Sequence, residues 1–146
     1  DELTPFGGQI IFVARATGTG RELFSTDGTE GGTAILKDIV EGAEDSIPSQ
    51  LTAAENHVFF VTRGEVNGGA LWKTDGTPEG TVLVKDVNPE DNDEGINHLT
   101  AAGSNVFFSG YDADNGQELW FSDGTPDGTV RVTQLAPGAE SVAPPI

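Results

Sequence analysis

Short apolar runs, separated by clusters of glycine, proline and acidic residues, make up most of the chain. The runs are rich in valine, isoleucine, leucine, threonine and phenylalanine, which favour extended backbone, and turn-forming residues bound them. In the first third of the chain, the runs that we predict to be strands are residues 3–6, 9–15, 22–24 and 33–39. We expect the second run to bury Ile10, Ile11, Phe12 and Val13. No stretch has the apolar spacing of a helix, so the pattern predicts an all-β protein.

The four-strand pattern occurs three times, and equivalent residues such as Asp27, Asp75 and Asp123 are 48 positions apart. The predicted strands of the second unit are residues 51–54, 58–63, 70–72 and 82–87, and those of the third are residues 99–102, 106–111, 118–120 and 130–135. Four antiparallel strands in a repeat of about 40–50 residues are typical of a β-propeller blade. We therefore expect one domain, residues 1–146, with repeat units at residues 1–48, 49–96 and 97–144.

A nine-residue phrase joins the third and fourth predicted strands of each unit. It reads STDGTEGGT at residues 25–33, KTDGTPEGT at residues 73–81 and FSDGTPDGT at residues 121–129. Asp-Gly between alternating apolar residues is a strong hairpin signal, and an aspartate can accept hydrogen bonds from the amides that follow it. We interpret Asp27, Asp75 and Asp123 as structural residues of these hairpins. A ring of metal ligands is the alternative interpretation.

Two phrases of the sequence carry a resemblance to a known family. Residues 118–129 read ELWFSDGTPDGT, and residues 81–87 read TVLVKDV. They are similar to a bacterial repeat family named after its Glu-Leu-Trp-x-x-Asp-Gly-Thr signature, and the hairpin also resembles the Asp-box of sialidase-like propellers. The resemblance implies propeller blades, a hairpin that serves folding, and a secreted or cell-surface location. Phe24 in place of tryptophan and Ala70 in place of glutamate depart from the signature.

The chain has a net charge of −17, with only seven lysine and arginine residues. Binding to a nucleic-acid backbone or an anionic membrane needs clustered basic residues, so we expect neither partner. The absence of cysteine excludes disulfide and thiol chemistry. No serine-based or histidine-based catalytic motif and no phosphate-binding loop occurs. The sequence therefore favours a non-enzymatic protein without an obligatory cofactor.

Residues at the ends of the second strands form a candidate ligand-binding site. Arg15 and Arg63 occupy the same place in the first two units, and Tyr111 occupies it in the third. On one rim of a ring, these side chains could bind an anionic or hydroxylated ligand. A glycan hydrolase would also need carboxylates in the channel, and the predicted inner strands 51–54 and 99–102 carry none. The aromatic residues of the third strands are expected to pack between neighbouring sheets: Phe24, Trp72 and Trp120.

Two acidic segments differ between the units and are candidate calcium sites. One is residues 112–118, where Asp112, Asp114 and Glu118 offer oxygen ligands of the kind that a hard cation prefers. The other is the acidic run at residues 90–94, in a connection between units. A solvated surface turn is the alternative interpretation of both segments.

The assembly prediction follows from the number of units. Three units of 48 residues account for 144 of the 146 residues, whereas propellers have about four to eight blades. We therefore expect two chains to join head to tail in a closed homodimer, with residues 137–146 leading toward the first strand of the partner. The alternative is that the chain is an excerpt from a longer propeller and associates irregularly. The predicted function is a non-enzymatic structural or binding scaffold, extracellular or on a bacterial cell surface. A propeller glycan hydrolase or a lectin-like glycan-binding protein is the alternative.

Overall fold

The computed structural model describes residues 2–64, 68–87, 89, 95–112 and 114–133. These residues form twelve β-strands in three four-stranded antiparallel sheets. The first sheet contains β1 (Thr4–Phe6), β2 (Gln9–Ala16), β3 (Gly20–Thr26) and β4 (Thr33–Lys37). The second contains β5 (Pro48–Ala53), β6 (Val58–Thr62), β7 (Ala70–Thr74) and β8 (Val82–Asp86). The third contains β9 (Asn97–Ala102), β10 (Asn105–Asp112), β11 (Gly116–Ser122) and β12 (Thr129–Arg131).

Each sheet is a meander in which strands consecutive in sequence are neighbours. This is the strand order of a propeller blade, and it confirms the prediction of three all-β, four-stranded units. The described residues form three such sheets and no closed ring. They contain no helix, and so no helix long and apolar enough to cross a membrane.

The third strands of the first and last sheets are longer than predicted. β3 begins at Gly20, which pairs with Ala16, and β11 begins at Gly116, which pairs with Asp112. The sequence pattern placed these segments in loops because they are polar and contain glycine. Pairing nevertheless continues to the tight turn, because an antiparallel ladder needs only backbone groups to extend.

The three sheets pack face to face, and each interface contains one apolar cluster. Between the first and second sheets, one cluster contains Ile11, Val13, Leu23, Leu36, Val58, Phe60, Ala70 and Trp72. Between the second and third sheets, the other contains Phe59, Val61, Leu71, Val84, Val87, Ile96, Val106 and Phe108, with Trp120 packed against it. The prediction that the aromatic residues pack between sheets is therefore confirmed for Trp72 and Trp120.

Burial along β2 corrects one prediction. Ile11 and Val13 are fully buried, as expected, but Ile10 and Phe12 are only half-buried. Successive side chains of a strand point to opposite faces of the sheet, and only the Ile11 face of the first sheet is covered by the second sheet. The prediction was wrong because a continuous apolar run is typical of a strand that is buried on both faces, whereas β2 is covered by a sheet on one face.

Candidate functional site

The aspartate at the start of each repeated hairpin accepts two hydrogen bonds from a threonine two residues later. In the second unit, Asp75 Oδ1 accepts from Thr77 N at 2.9 Å and from Thr77 Oγ1 at 2.6 Å. The equivalent pairs are Asp27 with Thr29 and Asp123 with Thr125. The bonds stabilise the ionised carboxylate, with the hydroxyl bond as the larger cause, and lower the pKa of all three aspartates.

The remaining threonines and glycines of the phrase complete the hairpin. In the second unit, Gly76 N donates to Thr74 Oγ1 at 3.0 Å, and Gly80 N donates to Thr77 Oγ1 at 3.0 Å. Thr81 Oγ1 donates to Thr77 O at 2.7 Å, so the 2.7 Å contact between the hydroxyls of Thr81 and Thr74 has Thr74 as its donor. The structure thus gives each repeated polar residue of the phrase a bond within the hairpin.

Two glycines of each hairpin are required by geometry. Gly76 has φ of +89°, a left-handed conformation that side chains other than glycine rarely adopt. Gly80 faces the Asp75 carboxylate so closely that a Cβ atom at Gly80 would overlap it. The same two relations hold in the other hairpins, with Gly28 and Gly32 in the first and Gly124 and Gly128 in the third.

A buried glutamate, which the sequence reasoning did not single out, binds the segment that leads from the first sheet to the second. Glu22 Oε2 accepts hydrogen bonds from Ile39 N at 3.0 Å and Ser46 Oγ at 2.6 Å, and Oε1 accepts from Ser46 N at 3.1 Å. Glu22 is fully buried, and burial raises its pKa despite these bonds. In the third sheet, the equivalent Glu118 is also buried and accepts a hydrogen bond from Thr133 Oγ1. The sequence signal was a glutamate before Leu-Phe or Leu-Trp in two units.

The two candidate arginines lie beside one cleft of about 400 Å³, whose described lining includes Arg15, Arg63, Asp45 and Glu44 but not Tyr111. Arg15 is exposed and forms an ion pair with Asp45. Arg63 is half-buried and already donates to Ser49 Oγ at 3.1 Å, Ile96 O at 2.9 Å and Asn97 Oδ1 at 2.8 Å. The structure therefore brings the arginines together, and it gives Arg63 bonds that join the second and third sheets.

The calcium hypotheses lie largely outside the described residues. The run at residues 90–94 is outside them, and so is the side chain of Asp112. Asp114 is exposed, whereas Glu118 is buried and bonded to Thr133. In the part of the chain that the structure describes, no three acidic or histidine side chains come together as a metal site would require. Calcium binding at residues 112–118 stays a prediction.

No sheet among the residues that the structure describes packs on one face of the first sheet. This face carries residues whose equivalents are buried elsewhere. Phe12 and Ile10 are half-buried, whereas their second-sheet equivalents Phe60 and Val58 are fully buried against the first sheet. Phe12 lies beside Phe24 with ring centroids 5.7 Å apart and the rings tilted by 33°. The equivalent rings of Phe60 and Trp72 are stacked, with centroids 6.2 Å apart. We call this surface, lined by Ile10, Phe12 and Phe24, the leading face.

The third sheet also has a face on which none of the described sheets packs, on the side opposite to the second sheet. It is lined by Phe107, Leu119, Phe121 and Val132, and we call it the trailing face. Phe107 and Leu119 are half-buried, although Phe59 and Leu71 at these positions of the second sheet are fully buried against the third. Val132 is 52% exposed, whereas the equivalent Val84 is 3% exposed. Phe107 and Phe121 form an edge-to-face pair at 5.3 Å.

The second residue of each repeat unit lies where neighbouring sheets meet, and the sequence did not lead us to predict this role. Glu2, Gln50 and His98 all have left-handed backbone, with φ of 54°, 56° and 56°. Glu2 Oε2 accepts from Leu51 N of the second sheet at 2.8 Å, and Gln50 Oε1 accepts from Leu99 N of the third sheet at 3.1 Å. Their different side chains concealed the shared position, which the 48-residue spacing alone could have revealed.

Comparison of the chain with models of protein families gives no match, and comparison with curated proteins gives none either. The resemblance to the Glu-Leu-Trp repeat family therefore rests on the signature phrases, and the site rests on its own geometry.

Proposed function

We propose that this chain is a non-enzymatic β-propeller module that assembles through its two uncovered sheet faces. The leading face of one copy packs on the trailing face of a second copy, and the reverse contact closes the ring. The assembled ring serves as a structural or binding scaffold. In keeping with the signature phrases, we place it outside a bacterial cell or on its surface.

The observation that carries this proposal is the burial of equivalent positions. The face of the second sheet that carries Phe60 packs on the first sheet, and the face that carries Phe59 packs on the third sheet. The leading face carries the equivalent of Phe60, and the trailing face carries the equivalent of Phe59. The two faces are therefore the two halves of an interface that occurs twice within the chain.

The contact of one hairpin glycine, Gly124, with the preceding sheet suggests a further contact of the ring. A Cβ atom on Gly124 of the third sheet would lie 3.4 Å from Phe59 and 3.5 Å from the Lys73 side chain of the second. In the proposed ring, Gly28 of one copy takes this place against Phe107 and Phe121 of the other. A cleft of about 490 Å³ beside Gly28, lined by Phe6, Ile10 and Thr26 among others, is open to receive that contact.

Two copies are the assembly that the geometry favours. When one face of a copy binds a different face of the next copy, copies add head to tail until the rotation between them closes a ring. Propellers close with about four to eight blades, and two copies of the three described sheets give a number within that range. Burial of the apolar residues of both faces stabilises the ring. Complete burial of an exposed side chain contributes about 1.5–3 kcal/mol, and the half-buried residues of these faces contribute a part of that.

A glycan hydrolase or glycan-binding protein stays the alternative. Its ligand would have to enter the cleft between Arg15 and Arg63, where Arg15 is paired with Asp45 and Arg63 bonds the third sheet. We therefore propose no separate ligand for the cleft.

The test places a charge on the trailing face. Leu119→Glu is expected to convert the dimer into a monomer in sedimentation velocity, because the charge would be buried against the leading face of the other copy. The matched control is Leu83→Glu, since Leu83 is 43% exposed on β8 of the middle sheet and lies on neither end face. Circular dichroism checks that both variants are folded. A folded Leu119→Glu protein that stays dimeric would contradict the proposal.

A further inference from the structure

The two sheet interfaces within the chain share a hydrogen bond between inner strands. A left-handed residue at the second position of one unit, Glu2 or Gln50, directs its side-chain oxygen to the backbone amide of the next unit, at Leu51 or Leu99. In the third unit, which has no following unit among the described residues, His98 occupies the acceptor position, with φ of 56°. Leu3 occupies the amide position of the first unit and is 74% exposed.

We infer that His98 Nε2 accepts a hydrogen bond from Leu3 N–H of a second copy, which completes the inner-strand contacts of the ring; this inference rests on the proposed function. Nε2 of histidine is separated from Cα by the same number of covalent bonds as Oε of glutamate or glutamine. The reach of the side chain is therefore the one that Glu2 and Gln50 already use from the same backbone conformation.

The surroundings of His98 leave Nε2 as the acceptor. His98 Nδ1 lies 3.3 Å from Ser109 Oγ. That hydroxyl donates its proton to Asn97 O at 3.3 Å and accepts a bond from Gln117 Nε2 at 3.3 Å. All three contacts of this hydroxyl are satisfied together when His98 Nδ1 carries the imidazole proton and donates it to Ser109 Oγ. A neutral imidazole with its proton on Nδ1 carries its lone pair on Nε2.

Acid therefore weakens closure of the ring, since an imidazolium has no lone pair to accept the Leu3 amide. Strands β9 and β5 carry no other ionisable side chain. Neighbouring elements carry further charged or titratable groups. Within the chain they are Arg63, Tyr111 and Asp112 on β10, and Glu118 on β11; in the second copy they are Glu2 and Arg15. Arg63 donates to Ile96 O and Asn97 Oδ1.

The direction of the effect distinguishes this bond from general electrostatics. At −17 per chain, partial neutralisation in mild acid reduces repulsion between two copies and strengthens association. Loss of the His98 bond acts in the opposite sense. Histidine side chains ordinarily change charge between about pH 8 and pH 5. Burial also raises the pKa of Glu22, so the comparison of histidine variants, and not the pH dependence alone, identifies the bond.

The experiment measures the dimer dissociation constant by sedimentation equilibrium from about pH 8 to pH 5. For the unmodified chain we expect weakening of about 10- to 100-fold on acidification, because each ring contains two such bonds. His98→Gln should keep the dimer and abolish the pH dependence, since Gln50 makes the equivalent bond from the same backbone conformation. His57→Gln, the matched control, should leave the pH dependence unchanged.

The outcomes separate the two claims. A chain that is monomeric at every pH would overturn the proposed ring itself. A dimer whose affinity does not fall in acid, or a His98→Gln dimer that weakens as much as the unmodified one, would leave the ring standing and overturn the role of His98.

Discussion

Gly80→Ala tests the close contact between a glycine and an aspartate in the repeated hairpin. A Cβ atom at Gly80 would overlap the carboxylate of Asp75, which must then rotate away and lose its two bonds from Thr77. The backbone of Gly80 is not left-handed, so alanine adds no strain of its own. The cost of the substitution therefore comes from the displaced aspartate.

The expected magnitude follows from those two bonds. Removing a side-chain acceptor of exposed loop amides costs about 1–2 kcal/mol, so we expect this loss for Asp75→Ala and at least as much for Gly80→Ala. In the double variant, the three carboxylate atoms of Asp75 that lie nearest to the new methyl group are absent. There, Gly80→Ala should be neutral or stabilising by up to about 1 kcal/mol, because alanine restricts the unfolded chain.

Urea unfolding of the unmodified chain, Asp75→Ala, Gly80→Ala and the double variant, at one protein concentration, measures these free energies. In thermal unfolding, the melting temperature should shift by about 3–5 °C per kcal/mol. Gly31→Ala is the control, because Gly31 precedes the equivalent Gly32 but a Cβ atom at Gly31 would meet no other atom within 4 Å. Equal costs of Gly80→Ala with and without the Asp75 carboxylate would refute the reasoning.

Three further predictions concern the pH dependence of the Asp75 contribution, the two arginines of the cleft, and calcium. Because the hairpin bonds lower the pKa of Asp75, its contribution to stability is complete above the ordinary pKa of about 3.9. The stability difference between the unmodified chain and Asp75→Ala should therefore shrink as pH falls from about 4 to 2, and a constant difference in urea unfolding would contradict this. Arg63→Ala should cost about 2–3 kcal/mol in the same assay because it removes three bonds, whereas Arg15→Ala should cost under about 1 kcal/mol as an exposed pair; equal costs would be unexpected. The calcium hypothesis predicts a larger rise in melting temperature with calcium than with sodium chloride at equal ionic strength, and equal rises would indicate screening alone.

Much of the fold could be predicted from the sequence because each unit repeats the same local signals. Asp-Gly hairpins and apolar runs specify antiparallel neighbours, and three copies of one pattern reinforce every assignment. The positions of β6 and β8 were predicted to within one residue. The extent of β3 and β11 was underestimated, because backbone pairing there does not depend on apolar side chains.

The candidate site was harder to predict, since it depends on which sheet faces are covered. Phe12 and Phe60 are equivalent in sequence, yet only Phe60 has a sheet packed against it. Likewise, Arg15 and Arg63 occupy equivalent positions but have different partners. Arg15 pairs with Asp45, whereas Arg63 donates to Ile96 O and Asn97 Oδ1 at the start of the third sheet. Periodicity identifies equivalent positions, whereas their neighbours are set by the order of the sheets.

The mass of the protein in dilute solution tests the proposed ring most directly. Native mass spectrometry or light scattering should give twice the 15.2 kDa of one chain, because the leading and trailing faces each need a partner. A stable, folded species with the mass of a single chain would contradict the account.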